Sequence, residues 1–367
     1  MPPISFARGA PAPECLDPAL VADCARAALE RDGTTILSYG QGGGYGPLRE
    51  LLAERHGVEP GRISITTGGL QGIAFYLAEL LARRPGRVLV EGPTYDRPLK
   101  LLARAGAEVV ALPMDDEGLD PDGLERELGR GGDVSFLYTI PTFQNPSGRT
   151  LSEPRRRRIA ELALEHGLPV LEDDPYGRVR YDGQAPPSLR ELEGGELVTY
   201  TSSFSKTVAP GVRVGWFVLP ESLAPGFDDR AVSTYISPPL LTQAAVHELI
   251  ARGAFEPNLE RITGLLRAQR DAMLESLDRE FGDTDARWSK PDGGYFVWLD
   301  LPGGADATAL LERATEAGVT FVRGRDFFPD GSGGETAARL AFSYESPARV
   351  AEGVGVLAAL LLAERRR

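Results

Sequence analysis

The sequence predicts an α/β protein, with a large domain on a mainly parallel seven-stranded sheet and a smaller α+β domain behind it. Three observations carry this. Between about residues 60 and 220, short β-rich runs alternate with helical stretches, the pattern of a parallel sheet covered on both faces. After residue 220 the alternation gives way to one long amphipathic helix and a few isolated strands. Five of the strand-like runs also end in polar or aromatic clusters, and ligands of such sheets bind at the carboxyl ends of the strands.

In chain order the runs are ISIT (63–66), RVLV (87–90), EVVALP (108–113), VSFLYTI (134–140), PVLE (169–172), LVTYTS (197–202) and VGWFVL (214–219). They are short and mostly continuous in apolar character, as strands buried on both faces must be. Helices such as LQGIAFYLAELLARR (70–84) and RRRRIAELALEHG (155–167) separate most of them. A short loop joins the last two runs, which predicts one antiparallel strand. Further on, a helix is expected over 258–281, then the strand GGYFVWLDLP (293–302) and a helix near 305–317. VTFVRG (319–324) and RLAFSY (339–344) read as strands, and 354–363 as a core-facing C-terminal helix too short to span a bilayer. The expected units are an N-terminal segment, 1–38, packing with the small domain, a large domain over 39–255 and a small domain over 256–367.

The chain has 367 residues, 42% hydrophobic and 25% charged, enough for a sizeable core. Its net charge of −13 opposes a phosphate backbone, so no nucleic-acid partner is expected. MPPISFARGAP lacks a secretory pattern and no apolar run is long enough for a membrane span, so no membrane partner and a cytoplasmic location are expected. Cys15 and Cys24 make no paired framework, which fits a reducing compartment without disulfides. His56, His166 and His247 lie apart without metal spacing, so no metal is expected and they are read as surface or helix-end residues. Arg155–Arg158 follows Ser152-Glu153-Pro154, a helix start, and reads as a solvated helix turn.

The strand-end clusters carry the chemistry. Residues 203–216, SFSKTVAPGVRVGW, set Lys206 among hydroxyls, a glycine and an arginine. A lone lysine in a polar turn is ordinarily a surface residue. Here Ser203 and Ser205 can donate to phosphate oxygens, and Arg213 can clamp a phosphate with two parallel hydrogen bonds. Gly68-Gly69-Leu70-Gln71-Gly72 opens a helix whose first amides complete a phosphate cup. No G-x-x-x-x-G-K-[ST] is present, and YGQGGGYG does not fit G-x-G-x-x-G. Asp173 or Asp174 stands at the end of a buried strand, and a carboxylate there can keep a pyridine nitrogen protonated. Tyr176 and Asn145 can hydrogen-bond a ring phenolate oxygen, and Tyr95 can stack on the ring. Each residue alone is more often structural; together they point to a lysine that forms a Schiff base.

YGQGGGYGPLRE (39–50), TTGGLQG (66–72), EGPTYDRP (91–98), PTFQNPSG (141–148), EDDPYG (172–177), SFSKTVAPGVRVGW (203–216), GGYFVWL (293–299) and RLAFS (339–343) follow one another in a specific order. Over nearly the whole chain they resemble the fold-type I, pyridoxal 5'-phosphate-dependent aminotransferases of class I/II. The branch most resembled includes 2-aminoadipate and aromatic aminotransferases and the catalytic half of MocR-type regulators. The resemblance implies an aminotransferase that moves an amino group between an amino acid and a 2-oxo acid. It implies that Lys206 is the Schiff-base lysine and acid–base group, and that Asp173 rather than Asp174 partners the pyridine nitrogen. Asn145 and Tyr176 would flank the ring oxygen and Tyr95 would stack on the ring. Ser203, Ser205, Arg213 and the amides of Gly69 and Leu70 would hold the phosphate. Arg339, with Asn145, would bind the substrate α-carboxylate. Tyr39 would reach the phosphate of a neighbouring subunit, so a homodimer with shared active sites is expected.

One departure is Gly69-Leu70, where the family commonly has Ser-Gln; backbone donation survives it. Too few residues precede Tyr39 for the winged helix of the regulators, so a regulator is not expected. Two other readings stand beside the first: another PLP-dependent reaction on an amino acid (elimination, decarboxylation or oxidation), or a non-catalytic ligand-sensing or DNA-binding protein. Selectivity for the substrate side chain is expected from residues 4–29, including Phe6 and Arg8, and from a partner-subunit loop around 235–239.

Overall fold

The computed structural model describes residues 2–364. Its main sheet contains β2 (Ile63–Thr67), β3 (Arg87–Gly92), β4 (Val109–Asp115), β5 (Gly118–Leu119), β6 (Val134–Thr139), β7 (Val170–Asp173), β8 (Val198–Ser203) and β9 (Val214–Val218). The strand order is β2-β9-β8-β7-β6-β3-β4-β5. β4, β3, β6, β7 and β8 are parallel, and β9 runs antiparallel between β8 and β2. The seven expected runs are seven of these strands, and β9 is the antiparallel one. The sheet has eight strands rather than seven because β5 folds back on Met114 and Asp115 of β4. Two residues are too few to leave a strand pattern in a sequence.

Both faces of the inner strands are covered, which explains their apolar runs; β4, next to the sheet edge, exposes Ala111, Pro113 and Asp115. Val88 and Val90 of β3 pack with Phe136 and Tyr138 of β6 against α3 (Gly69–Arg83) and α4 (Asp96–Arg104). The intervening Leu89 and Leu137 face α5 (Pro121–Gly129) and α6 (Glu153–His166) on the other side. Around the β2–β9 edge, α2 (Gly46–His56) and α8 (Leu240–Ala251) enclose a further cluster. α7 (Ala224–Tyr235) lies against the α3 face.

The second unit begins along α9 (Phe255–Phe281), whose first turns pack with the large sheet's β9 edge and whose later turns, from Ile262, enter the small-domain core. β10 (Arg287–Trp288), β11 (Phe296–Asp300), β13 (Val322–Arg323) and β14 (Ala337–Ala341) form an antiparallel sheet in the order β10-β11-β14-β13. α10 (Ala307–Glu316) and α11 (Pro347–Glu364) cover it. The run 319–324 is two strands, not one. β12 (Val319–Thr320) pairs with β1 (Ile4–Ser5), and the buried Phe321 separates it from β13.

Residues 1–38, expected as one segment beside the small domain, divide. Ile4, Phe6, Ala12 and Cys15 enter the small-domain core. α1 (Pro18–Ile36) instead places Cys24, Ala28 and Ile36 against Leu240 and Ala244 of α8 in the large unit. Phe6 is fully buried there, so it belongs to the core and not to a substrate pocket. Arg8 lies 4.3 Å over the Tyr344 ring.

Two further expectations change. Arg155, Arg157 and Arg158 pair with surface carboxylates as expected, but Arg156 is only 1% exposed. Successive helical residues turn by about 100°, so four in a row cannot all face solvent. His166 ends α6 and is exposed. His56 ends α2 and accepts a 3.1 Å hydrogen bond from Trp216 Nε1, and burial pushes it down to about 4. His247, however, is half-buried inside α8, neither at its end nor at the surface. Cys15 and Cys24 are free thiols. Among the described residues, no helix is long and apolar enough to cross a membrane.

Candidate active site

The carboxyl ends of β2, β3, β6, β7 and β8 converge on a cavity of about 360 Å³. Its floor is set by glycines. Gly68 has φ +79, and a Cβ there would lie 2.2 Å from Arg213 Nη2. A Cβ on Gly215 would lie 2.5 Å from the Gly69 nitrogen. Only bare backbone lets β9 and the start of α3 come this close. α3 has no side-chain cap, so its first-turn amides remain donors beside the cavity. The Gln71 side chain accepts from Thr67 N at 2.8 Å and is spent on the strand end.

Arg213 sits at φ +51, a left-handed conformation rare for a residue with a side chain. Its guanidinium donates to Pro210 O and Thr67 O, each at 3.2 Å. That fixes an exposed cation at the N-terminus of α3. Ser203 Oγ lies 2.8 Å from Ser205 Oγ and accepts from Ser205 N at 3.0 Å. Two hydroxyls, a guanidinium and a helix start therefore line one cavity, a donor set suited to a phosphate dianion.

Lys206 follows on the same turn. Its Nζ donates to Gly9 O at 2.8 Å and lies 5.0 Å from the Tyr295 ring centre and 5.7 Å from that of Tyr176. Burial, with Arg339 and Arg213 as like charges, pushes its ammonium down to about 8. A sizeable neutral fraction is then present near neutral pH, as an amine nucleophile requires.

Asp173 ends β7 and accepts from Tyr138 Oη at 2.8 Å. Burial pushes its carboxyl up to about 7; the Tyr138 hydrogen bond lowers it and the charges of Asp174 and Glu91 raise it further. A cation placed beside it would restore the carboxylate. Asp174 is committed elsewhere, accepting from Tyr200 Oη at 3.0 Å and Gly177 N at 2.8 Å. Of the two, Asp173 lines the cavity.

Opposite stands Arg339 of β14. Its Nη1 donates to Asn145 Oδ1 at 3.0 Å and its Nη2 to Ala7 O at 2.8 Å, while Nε is buried without a partner among the described residues. Burial lowers its guanidinium to about 10, so it stays charged at neutral pH. A buried cation with an orphan donor fits an incoming carboxylate. The loop bearing Asn145 is keyed into the small domain: Cβ atoms on Gly293 or Gly294 would lie 2.3 or 2.6 Å from Phe143.

Eleven of the twelve site residues named from sequence line this one cavity: Gly69, Leu70, Tyr95, Asn145, Asp173, Tyr176, Ser203, Ser205, Lys206, Arg213 and Arg339. Tyr39 does not; its side chain is 83% exposed, outside the cavity of its own chain. The cavity also takes in Ala7 and Gly9, which lie inside the 4–29 segment expected to reach the substrate, and Asp96 and Arg97, which the sequence analysis did not single out. Asp96 and Arg97 open α4 directly after Tyr95, a position that could have flagged them. Within that N-terminal segment it is Ala7 and Gly9 that reach the cavity, while Phe6 between Ser5 and Ala7 is buried in the core.

Residues 5–354 match the family described as Aminotransferase class I and II. The chain is 38% identical over 355 residues to a 2-aminoadipate transaminase of Thermus thermophilus, covering 96% of this chain and 88% of that protein. It is 34% identical over 373 residues to aromatic-amino-acid aminotransferase 1 of Thermococcus litoralis, covering 99% of this chain and 89% of that one. Among solved structures it is similar, with a TM-score of 0.92 and 37% identity, to LysN, the alpha-aminoadipate aminotransferase of Thermus thermophilus, complexed with N-(5'-phosphopyridoxyl)-L-leucine. That likeness covers 99% of this chain and 93% of LysN.

Proposed function

The chain belongs to the class I and II aminotransferase family, and from that premise we propose how its own residues carry out pyridoxal 5'-phosphate-dependent transamination. The observation that carries this reading is the convergence of Lys206, Asp173, Arg213 and Arg339 on one cavity. The donor set fits the cofactor. Arg213, Ser203, Ser205 and the first amides of α3 would hold its phosphate, Asp173 its ring nitrogen, Asn145 and Tyr176 its ring oxygen, and Tyr95 its face. When bound, pyridoxal 5'-phosphate supplies an aldehyde that condenses with amines and a ring that withdraws electrons from the substrate Cα.

The rest is the work of the protein. Arg339 orients the substrate by its α-carboxylate, which aims the Cα–H bond toward Lys206. Lys206 Nζ would take the proton from the substrate Cα and release it again within the cavity, so it must alternate between neutral and charged forms. An ammonium held near pH 8 suits that duty. Phe296 of the small domain lines the cavity beside Arg339 and gives it an apolar wall.

The catalytic unit in this reading is a cytoplasmic homodimer. Support for the dimer comes from an apolar surface formed by Leu37, Tyr39, Val232 and Ile236, all at least 50% exposed. The loop carrying Tyr39 lies along this surface, with Gly40 N donating to Ser237 Oγ at 3.1 Å. Tyr39 then serves the phosphate of the partner. The two free cysteines agree with a reducing compartment.

The reaction type is tested by product analysis. Holoenzyme given an amino acid and a 2-oxo acid should yield equimolar amounts of the exchanged pair. Release of ammonia, carbon dioxide or hydrogen peroxide in place of the new amino acid would assign elimination, decarboxylation or oxidation instead.

A further inference from the structure

We propose that Tyr138 is a positioning residue of this site, whose hydroxyl holds Asp173 as a carboxylate with one oxygen left for the cofactor ring nitrogen. The inference rests on the reading of Asp173 given above. Tyr138 lies on β6 and Asp173 on the adjacent parallel strand β7, where Tyr138 pairs in register with Leu171. Both side chains are buried, at 0% and 7% exposed. The Tyr138 ring packs among Phe136, Val90 and Tyr76, so a phenylalanine would fill the same space. The hydroxyl is what distinguishes it, and it donates to Asp173 Oδ2 at 2.8 Å. Among the described residues, no protein hydrogen bond reaches Oδ1.

The surroundings make this one bond consequential. The titratable groups facing Asp173 are Glu91 at the end of β3, Tyr95 just beyond it, Tyr138 on β6, and Asp174 and Tyr176 after β7. On the β8 side its register partner is Thr201, whose hydroxyl is taken by Trp216 O. Two of these neighbours are acids, and no ion pair to Asp173 occurs among the described residues. Left alone, such a carboxyl takes up a proton. Burial keeps the Tyr138 phenol well above its ordinary range, so it remains a donor at every working pH. If it were removed, the proton shared between ring nitrogen and Asp173 would pass to Asp173, and the ring would lose its positive charge with no change in proton count.

The test is Tyr138→Phe, reconstituted with pyridoxal 5'-phosphate labelled with nitrogen-15 in the ring. The nitrogen chemical shift should report a protonated ring in the unaltered protein and a shift toward the unprotonated form in the variant. Apoprotein affinity for the cofactor should fall about 10- to 100-fold, the ordinary worth of a hydrogen bond to a charged group. Affinity for the 1-deaza analogue, which has carbon in place of the ring nitrogen, should be the same in both proteins. An unchanged shift and affinity in the variant would overturn the proposal. Equal loss of both cofactors would assign Tyr138 to packing and overturn it as well. An unprotonated ring in the unaltered protein would overturn the Asp173 reading beneath it, and Tyr138 with it.

Discussion

An amine at the base of a cavity, with two guanidiniums for neighbours, does not titrate as a surface lysine does. Lys206 loses hydration on burial and meets Arg339 and Arg213 as like charges, which together bring its ammonium down from 10.5 to about 8. Because the neutral amine is the nucleophile, condensation of apoprotein with pyridoxal 5'-phosphate should speed up as pH rises through about 8 and then level off. Stopped-flow absorbance across a pH series measures this; a rate still climbing toward 10.5 would show an ordinary lysine. At this scale the sequence was informative where polar residues end or follow an apolar strand, as at Asp173, Ser203 and Asn145. It was silent where a polar atom hides in an apolar run. The Tyr138 hydroxyl sits inside VSFLYTI and nothing local separates it from core.

Elements hold these residues in place through contacts that span long stretches of chain. Arg156 of α6 donates to Leu151 O at 2.9 Å, Pro141 O at 2.7 Å and Thr142 Oγ1 at 2.8 Å, with Glu172 of β7 at 3.8 Å. It thereby ties the helix to the segment leading into Asn145 and to the strand ending in Asp173. Arg156→Met removes one partner of a buried charge and strands several carbonyls, so it should destabilise the apoprotein by roughly 3–5 kcal/mol. Arg157→Met, at an exposed pair with Glu153, should cost less than about 0.5 kcal/mol. Urea midpoints of the two variants measure the difference, and equal midpoints would refute the tie. The strands and helices themselves were legible because most of the seven runs are short and apolar and alternate with helical stretches. β5 and the split at Phe321 were not, being decided by tertiary packing over two or three residues.

Across the whole molecule, the N-terminal segment was expected beside the small domain and near the substrate, but its division between the two units is decided by long-range packing. Residues 4–15 belong to the small domain and 18–36 to the large one, so the segment bridges the two units with Ala7 and Gly9 at the cavity. The apolar surface around Leu37, Tyr39, Val232 and Ile236 lies on the large unit and suits an isologous dimer, in which the same patch meets itself. Ile236→Asp should shift sedimentation from dimer to monomer and lower cofactor retention, since Tyr39 would lose its target; a variant that stays dimeric would contradict that placement. The central claim, that Lys206 and Arg339 act in one cavity on an amino acid, is tested most directly by a half-reaction. Holoenzyme mixed with a single amino donor and no acceptor should convert one cofactor per site to the pyridoxamine form and release one equivalent of 2-oxo acid, while Lys206→Ala should bind cofactor and release none. A holoenzyme that binds pyridoxal 5'-phosphate yet is converted by no amino acid in a broad panel would contradict the assignment.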